Sequence, residues 1–170
     1  MLIVVSGLPG SGKSYFASRL SEKLGAEYVN SDSARKAMEA TGRYPFEDEL
    51  DVYESMAKTA GENLRKGKVV VVDATFYTHE MRDLFFTLST LLHTPISYIE
   101  IEAEEKVIKE RLNQSGKRTS AGYAVYQQLK PKYQKLAANH LVLQSTNENI
   151  DAMLQEGMDY IIKIKEGKIE

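Results

Sequence analysis

Residues Gly7-Leu8-Pro9-Gly10-Ser11-Gly12-Lys13-Ser14 match the pattern G-x-x-x-x-G-K-[ST] at every fixed position. The apolar run Leu2-Ile3-Val4-Val5 precedes them, and an amphipathic stretch, Tyr15 to Leu24, follows. A strand that turns through such a loop into a helix is the setting a phosphate cradle requires. Glycines at 7, 10 and 12 open backbone conformations closed to residues that carry a Cβ. Successive N–H groups then converge on phosphate oxygens at a helix N-terminus, where the dipole also favours anions. Lys13 is placed to reach the β- and γ-phosphates. The Ser14 hydroxyl is placed to bind Mg²⁺, a hard ion that takes oxygen ligands. Leu8, Pro9, Ser11 and Tyr15 complete the segment expected to hold ATP.

The rest of the chain alternates strands with helices. Expected strands are Leu2 to Ser6, Glu27 to Asn30, Lys68 to Val72, Ile96 to Ile101 and His140 to Gln144. Expected helices run from Lys13 to Leu24, with Gly25 as C-cap, and from near Ser33. Thr41 to Pro45 breaks the pattern. A longer helix then carries Phe46, Leu50, Tyr53, Ala57, Ala60 and Leu64 at spacings of three and four, with Glu47, Asp48 and Glu49 in its first turn. Further helices are expected over 78–92, 104–113, 123–136 and about 150–162. Such alternation predicts an α/β fold: a P-loop NTPase three-layer sandwich with a five-stranded parallel sheet, helices on both faces and a basic lid segment. At 170 residues the chain reads as one domain, with the lid at approximately 114–136. Ligands of such sheets gather at the carboxyl ends of the strands.

Two acids stand at such ends. Asp32 lies in Asn30-Ser31-Asp32-Ser33-Ala34-Arg35, three residues before Arg35 and on the same face of any helix that starts there. A carboxylate can take the proton of an attacking hydroxyl, and a neighbouring arginine can hold an anionic group of the acceptor. Asp32 can equally be a plain helix cap. Asp73 ends the run Val69-Val70-Val71-Val72, the position from which a carboxylate supports Mg²⁺ or orients its neighbours.

Arg111, Lys117, Arg118, Lys130, Lys132 and Lys135 form a basic stretch late in the chain. Phosphoryl transfer develops charge on non-bridging oxygens, and an arginine on a closing segment stabilises it and excludes water. Arg111 and Arg118 are the two candidates; the lysines read as solvated surface. Tyr123, Tyr126 and Tyr133 recur at helical spacing and read as packing ahead of base stacking. His79, His93 and His140 have no metal-ligand spacing.

The net charge of −2 gives no global bias toward nucleic acid or anionic membrane. No stretch approaches the ~18 apolar residues of a membrane span, and the apolar N-terminal run is too short for a signal peptide. The absence of cysteine excludes disulfides and fits a reducing, cytoplasmic setting.

The loop Gly7–Ser14, the Asn30-x-Asp32-x-x-Arg35 segment, the strand end Val69–Asp73-Ala74-Thr75 and the Arg118 stretch together resemble P-loop kinases of the polynucleotide 5′-hydroxyl kinase type. Closer still is the resemblance to a group of small bacterial proteins known as predicted kinases or AAA-family ATPases. It covers roughly residues 1–145. The resemblance implies that Lys13 and Ser14 bind ATP and Mg²⁺. It also implies that Asp32 is the general base on the acceptor hydroxyl, that Arg35 binds an acceptor phosphate and that Asp73 orients Arg35. Arg118 would be the lid arginine acting on the transferring phosphoryl group, with Arg111 also at the nucleotide. Zeta-toxin-like kinases of sugar nucleotides share the same logic.

The expected function is therefore transfer of the ATP γ-phosphate to a hydroxyl on a nucleic acid 5′ end, a nucleotide or a small metabolite. Nucleic acid is a permitted partner and not a required one, and no membrane is expected. The alternative is an ATP-binding module or ATPase switch that acts through a protein partner, with segment 121–138 as its docking helix. A ring-forming ATPase fits poorly, because the chain has no obvious second helical domain.

Overall fold

The computed structural model of the chain describes residues 1–40, 49–114, 122–136 and 139–168. Five strands, β1 (Leu2–Ser6), β2 (Glu27–Asn30), β3 (Val70–Asp73), β4 (Ile96–Glu102) and β5 (Leu141–Gln144), form one parallel sheet in the order β2-β3-β1-β4-β5. Every neighbouring pair runs parallel, with Val5 opposite Asp73 and Asn30 opposite Asp73. The central strands are fully buried, which is why Leu2-Ile3-Val4-Val5 and Val70-Val71-Val72 read as unbroken apolar runs.

Alternate residues of β1 feed two cores. Leu2 and Val4 pack with Val70, Val72, Met56 and Phe85 on one face, under α3 (Leu50–Arg65) and α4 (His79–Leu91). Ile3 and Val5 pack with Phe16, Leu20, Leu154 and Ile161 on the other, under α1 (Lys13–Leu24) and α7 (Ile150–Lys165). The period of two along a strand, covered by helices on both sides, is the three-layer sandwich expected from sequence.

Helices α2 (Ser31–Ala40), α5 (Glu105–Gln114) and α6 (Tyr123–Leu129) complete the described elements. Gly25 ends α1 in the left-handed region, with its N–H and that of Ala26 returned to Glu22 and Ser21. Strand β3 starts two residues later than expected, because the Lys68 N–H still closes the end of α3 on the Asn63 carbonyl.

The described part of the helix expected from Phe46 is Leu50–Arg65, with Glu49 at its N-cap and not in its first turn; Phe46, Glu47 and Asp48 lie outside the described residues. The tyrosine-rich helix stops at Leu129 and gives way to a single 3-10 turn, Lys130–Lys132. Pro131 lacks the N–H that an α-helix would use, and its ring obstructs the preceding turn. Tyr133 therefore leaves the face shared by Tyr123 and Tyr126, whose rings stack on each other 5.6 Å apart.

Candidate active site

The phosphate loop spans the carboxyl end of β1 and the start of α1. Gly7 sits at φ 153, and a Cβ there would lie 2.4 Å from the Ile101 carbonyl oxygen, so the loop's first turn admits no side chain. Arg111, near the end of α5, holds the loop from behind. Its Nη1 donates to the Gly10 carbonyl at 3.2 Å and the Ser11 carbonyl at 3.0 Å. Its Nη2 donates to Ser145 Oγ at 3.1 Å and its Nε to Asn147 Oδ1 at 3.1 Å. All three guanidinium nitrogens donate, a spread of donors that a lysine cannot reproduce. Arg111→Lys should weaken binding of a non-hydrolysable ATP analogue about tenfold, as loop carbonyls lose donors worth ~1 kcal/mol each. Titration calorimetry reads that change directly.

Beside Arg111 opens a cavity of about 300 Å³, lined by Gly12, Tyr15, Ser145, Thr146, Ile150 and Met153. Lys13 and Ser14 face a second cavity of about 200 Å³, shared with Tyr28, Asp32, Arg35 and Asp73. The residues singled out at the ends of β2 and β3 are thus brought to the phosphate lysine. Lys13 is half-buried, and desolvation holds its ammonium below the usual lysine value; Asp73 and Asp32 partly oppose that shift.

Asp32 is not the cap of its helix. Asn30 Oδ1 accepts the Ser33 N–H at 2.9 Å and performs that task. The Asp32 side chain is 70% exposed in the first turn of α2, with Arg35 Nη1 at 3.7 Å. Arg35 Nη2 stands 3.6 Å from Glu49 Oε1, and Glu49 Oε2 accepts the Tyr77 hydroxyl at 2.6 Å. Burial, with Glu49 as the proton's acceptor, pushes the Tyr77 hydroxyl up to about 12. Arg35 is therefore braced by Asp32, as their spacing of three announces, and by Glu49, which no spacing in the sequence announces.

Asp73 is 2% exposed. Its Oδ2 accepts the Tyr28 hydroxyl at 2.7 Å, and its Oδ1 is buried with no hydrogen-bond partner. Burial and Asp73 together drive the Tyr28 hydroxyl far above its ordinary value, which keeps it a donor. Tyr28 was not expected at the site; its place two residues before Asn30 on the neighbouring strand is the only signal. Tyr28→Phe should cost about 1.5–3 kcal/mol, the range for a hydrogen bond to a charged group, seen as a lower urea midpoint at unchanged slope.

A buried carboxylate oxygen without a donor is a site for a cation or its water. Ser14 and Asp73 therefore fit Mg²⁺, which binds through one or two protein oxygens plus substrate phosphates. Among the described residues no three His, Cys, Asp or Glu side chains gather into a metal site of their own. Arg118 and Lys117 lie outside the described residues.

The tip of β3 is held rigidly. Phe76 adopts φ 50, its N–H donates to the Tyr53 hydroxyl at 3.1 Å, and its carbonyl accepts Arg82 Nε at 2.8 Å. Arg82 is fully buried, donates also to the Gln134 carbonyl, and lies over the Tyr133 ring. His79 is a helix-start residue whose N–H donates to Gln134 Oε1 at 2.6 Å.

Comparison with known proteins bears on the family and the fold. A family model described as an AAA domain matches residues 2–136. A protein of Thermococcus kodakarensis named "Putative adenylate kinase" is 34% identical over 116 residues, 68% of this chain and 57% of that one. An uncharacterized protein of Mycobacterium tuberculosis is 26% identical over 123 residues, 65% of this chain. The chain spans only 25% of the length of that mycobacterial relative. Among solved structures, an APS kinase of Mycobacterium tuberculosis in complex with AMPPNP and APS superposes with a TM-score of 0.73 at 21% identity, covering 94% of this chain and 96% of that one. Chaetomium thermophilum Kti12 in complex with ADP-AlF3 gives 0.72 at 19% identity, covering 95% and 99%. A sugar kinase of Janibacter gives 0.72 at 16% identity, covering 94% and 93%. The shared property is the fold. Among the described residues no helix is long and apolar enough to cross a membrane.

Proposed function

We propose that this chain, which belongs to the AAA-domain family, transfers the γ-phosphate of ATP to a hydroxyl group of a second molecule. One observation carries the reading. A carboxylate freed from helix capping, Asp32, opens into the same cavity as the phosphate lysine, Lys13, and is paired there with Arg35. An ATP-binding switch needs the loop and Lys13; it has no use for a base aimed at the same space.

The residues divide by role. Backbone N–H groups of Gly10, Gly12, Lys13 and Ser14 and the Lys13 ammonium hold the phosphates. Arg111 fixes the loop's carbonyls, and the 300 Å³ cavity beside it, floored by Ile150 and Met153, seats the nucleobase. Mg²⁺, when bound by Ser14 and Asp73, neutralises charge on the phosphates. Asp32 accepts the proton of the attacking hydroxyl, and Arg35 orients Asp32 and the acceptor. Arg118, outside the described residues, is assigned to the transferring phosphoryl group. Residues 1–170 act as one unit, in the cytoplasm where ATP is abundant.

The test is the fate of labelled γ-phosphate from ATP when alcohols are added. Label on an added alcohol supports the reading. ATP binding with no transfer to any alcohol would assign the chain to nucleotide-gated partner binding instead.

A further inference from the structure

A third cavity, of about 230 Å³, lies across β1 from the Asp32 cleft, at the carboxyl end of β4. Leu8 and Ser11 of the phosphate loop form one wall, so a molecule in this cavity abuts the donor site. Its size is roughly eight water volumes, room for a small metabolite and too little for a duplex end.

The lining is rich in acceptors. Among the described residues of the lining, Glu100, Glu102 and Glu105 contribute three carboxylates against one ammonium, that of Lys130. Glu100 Oε2 lies 3.1 Å from His140 Nε2, and Glu102 Oε2 accepts the Gln144 amide at 2.6 Å. Glu105 accepts the Tyr123 hydroxyl at 2.8 Å and pairs with Lys130. An ionised carboxylate offers about four lone-pair sites, so each keeps capacity for a further donor. The second observation is independent of the acids. Ser11 is 1% exposed, lines the cavity, and its Oγ has no hydrogen-bond partner. A hydroxyl left so in a protein interior asks for a partner from outside. Tyr126 and Tyr133 supply flat apolar walls.

We propose that this cavity binds the non-reacting part of the phosphoryl acceptor and selects a small hydroxyl-rich molecule, neutral or amine-bearing, over one carrying phosphate or carboxylate. The word acceptor rests on the phosphotransferase reading; the charge selection does not. The geometry on the other side agrees. Arg35, the one cation expected to greet an acceptor phosphate, is already flanked by Asp32 and Glu49.

The experiment measures binding and transfer separately. Saturation-transfer NMR on the full chain with AMPPNP and Mg²⁺ compares D-glucosamine, D-glucose, D-gluconate and glucose 6-phosphate. Glucosamine and glucose should bind at least about tenfold more tightly than the two anions, since like charges meeting in a site cost affinity steeply. Glu102→Lys, at an exposed position, should narrow or reverse that order by turning a carboxylate into an ammonium. Anions binding as tightly as the neutral sugars, no probe binding at all, or an order unmoved by Glu102→Lys would each overturn the inference. If the binding order holds while no labelled phosphate reaches any alcohol, the phosphotransferase reading falls and the cavity's selectivity stands.

Discussion

Asp32→Asn is expected to slow phosphoryl transfer about 10²–10⁴-fold, the range a positioned general base contributes, while ATP affinity stays nearly unchanged. Asparagine keeps the size of the side chain and can still accept from Arg35, but it cannot take a proton. The capping of α2 is untouched, because Asn30 performs it, so the variant should melt with the parent. Separation of the two effects is the informative part. A residue needed only for structure would lower stability and ATP binding together; a base lowers the chemical step alone. Single-turnover measurements with labelled ATP and saturating acceptor isolate that step. Transfer at the parent rate would remove Asp32 from the mechanism.

Lys13→Met is expected to lower transfer about 10²–10³-fold, comparable to removing one preorganised donor from developing charge, and to weaken ATP binding as well. Its effect on stability should be slight and of the opposite sign to ordinary core damage. Desolvation holds the Lys13 ammonium below its usual value, so the folded protein bears a cost for keeping it charged. Methionine fills similar space without that cost. The variant should melt at the parent temperature or above it, the pattern of a residue kept for function at the expense of stability. A large drop in melting temperature would mean that Lys13 is holding Asp73 and Asp32 together, and the loss of activity would then be structural.

The sheet and the donor half of the site were legible because they are local. A strand, a glycine loop and a helix follow one another from Leu2 to Leu24, and their residue types leave little choice of conformation. The buried runs at β1 and β3 gave the parallel core for the same reason. What escaped was non-local or turned on a single residue. Asp32 and Asn30 compete for one cap within three residues, and sequence alone cannot say which side chain turns back to the helix. The bond from Tyr28 to Asp73 spans 45 positions and exists only because β2 and β3 are neighbours. Glu49, the residue before α3, reaches Arg35 on α2, and Arg111 reaches the phosphate loop across 100 positions. The end of α6 was readable in principle: Pro131 marks it, and the tyrosine spacing of three and ten obscured the proline.

The central question is whether the Asp32 cleft receives an alcohol. The direct measurement is transfer of label from γ-labelled ATP, with Mg²⁺, to a panel of small polyols, amino sugars, nucleosides, sugar nucleotides and 5′-hydroxyl oligonucleotides, scored against free phosphate. The expected result is label on a neutral or amine-bearing alcohol, reduced at least about a hundredfold in both Lys13→Met and Asp32→Asn. Label appearing only as free phosphate, at a rate that Asp32→Asn leaves unchanged, would contradict it.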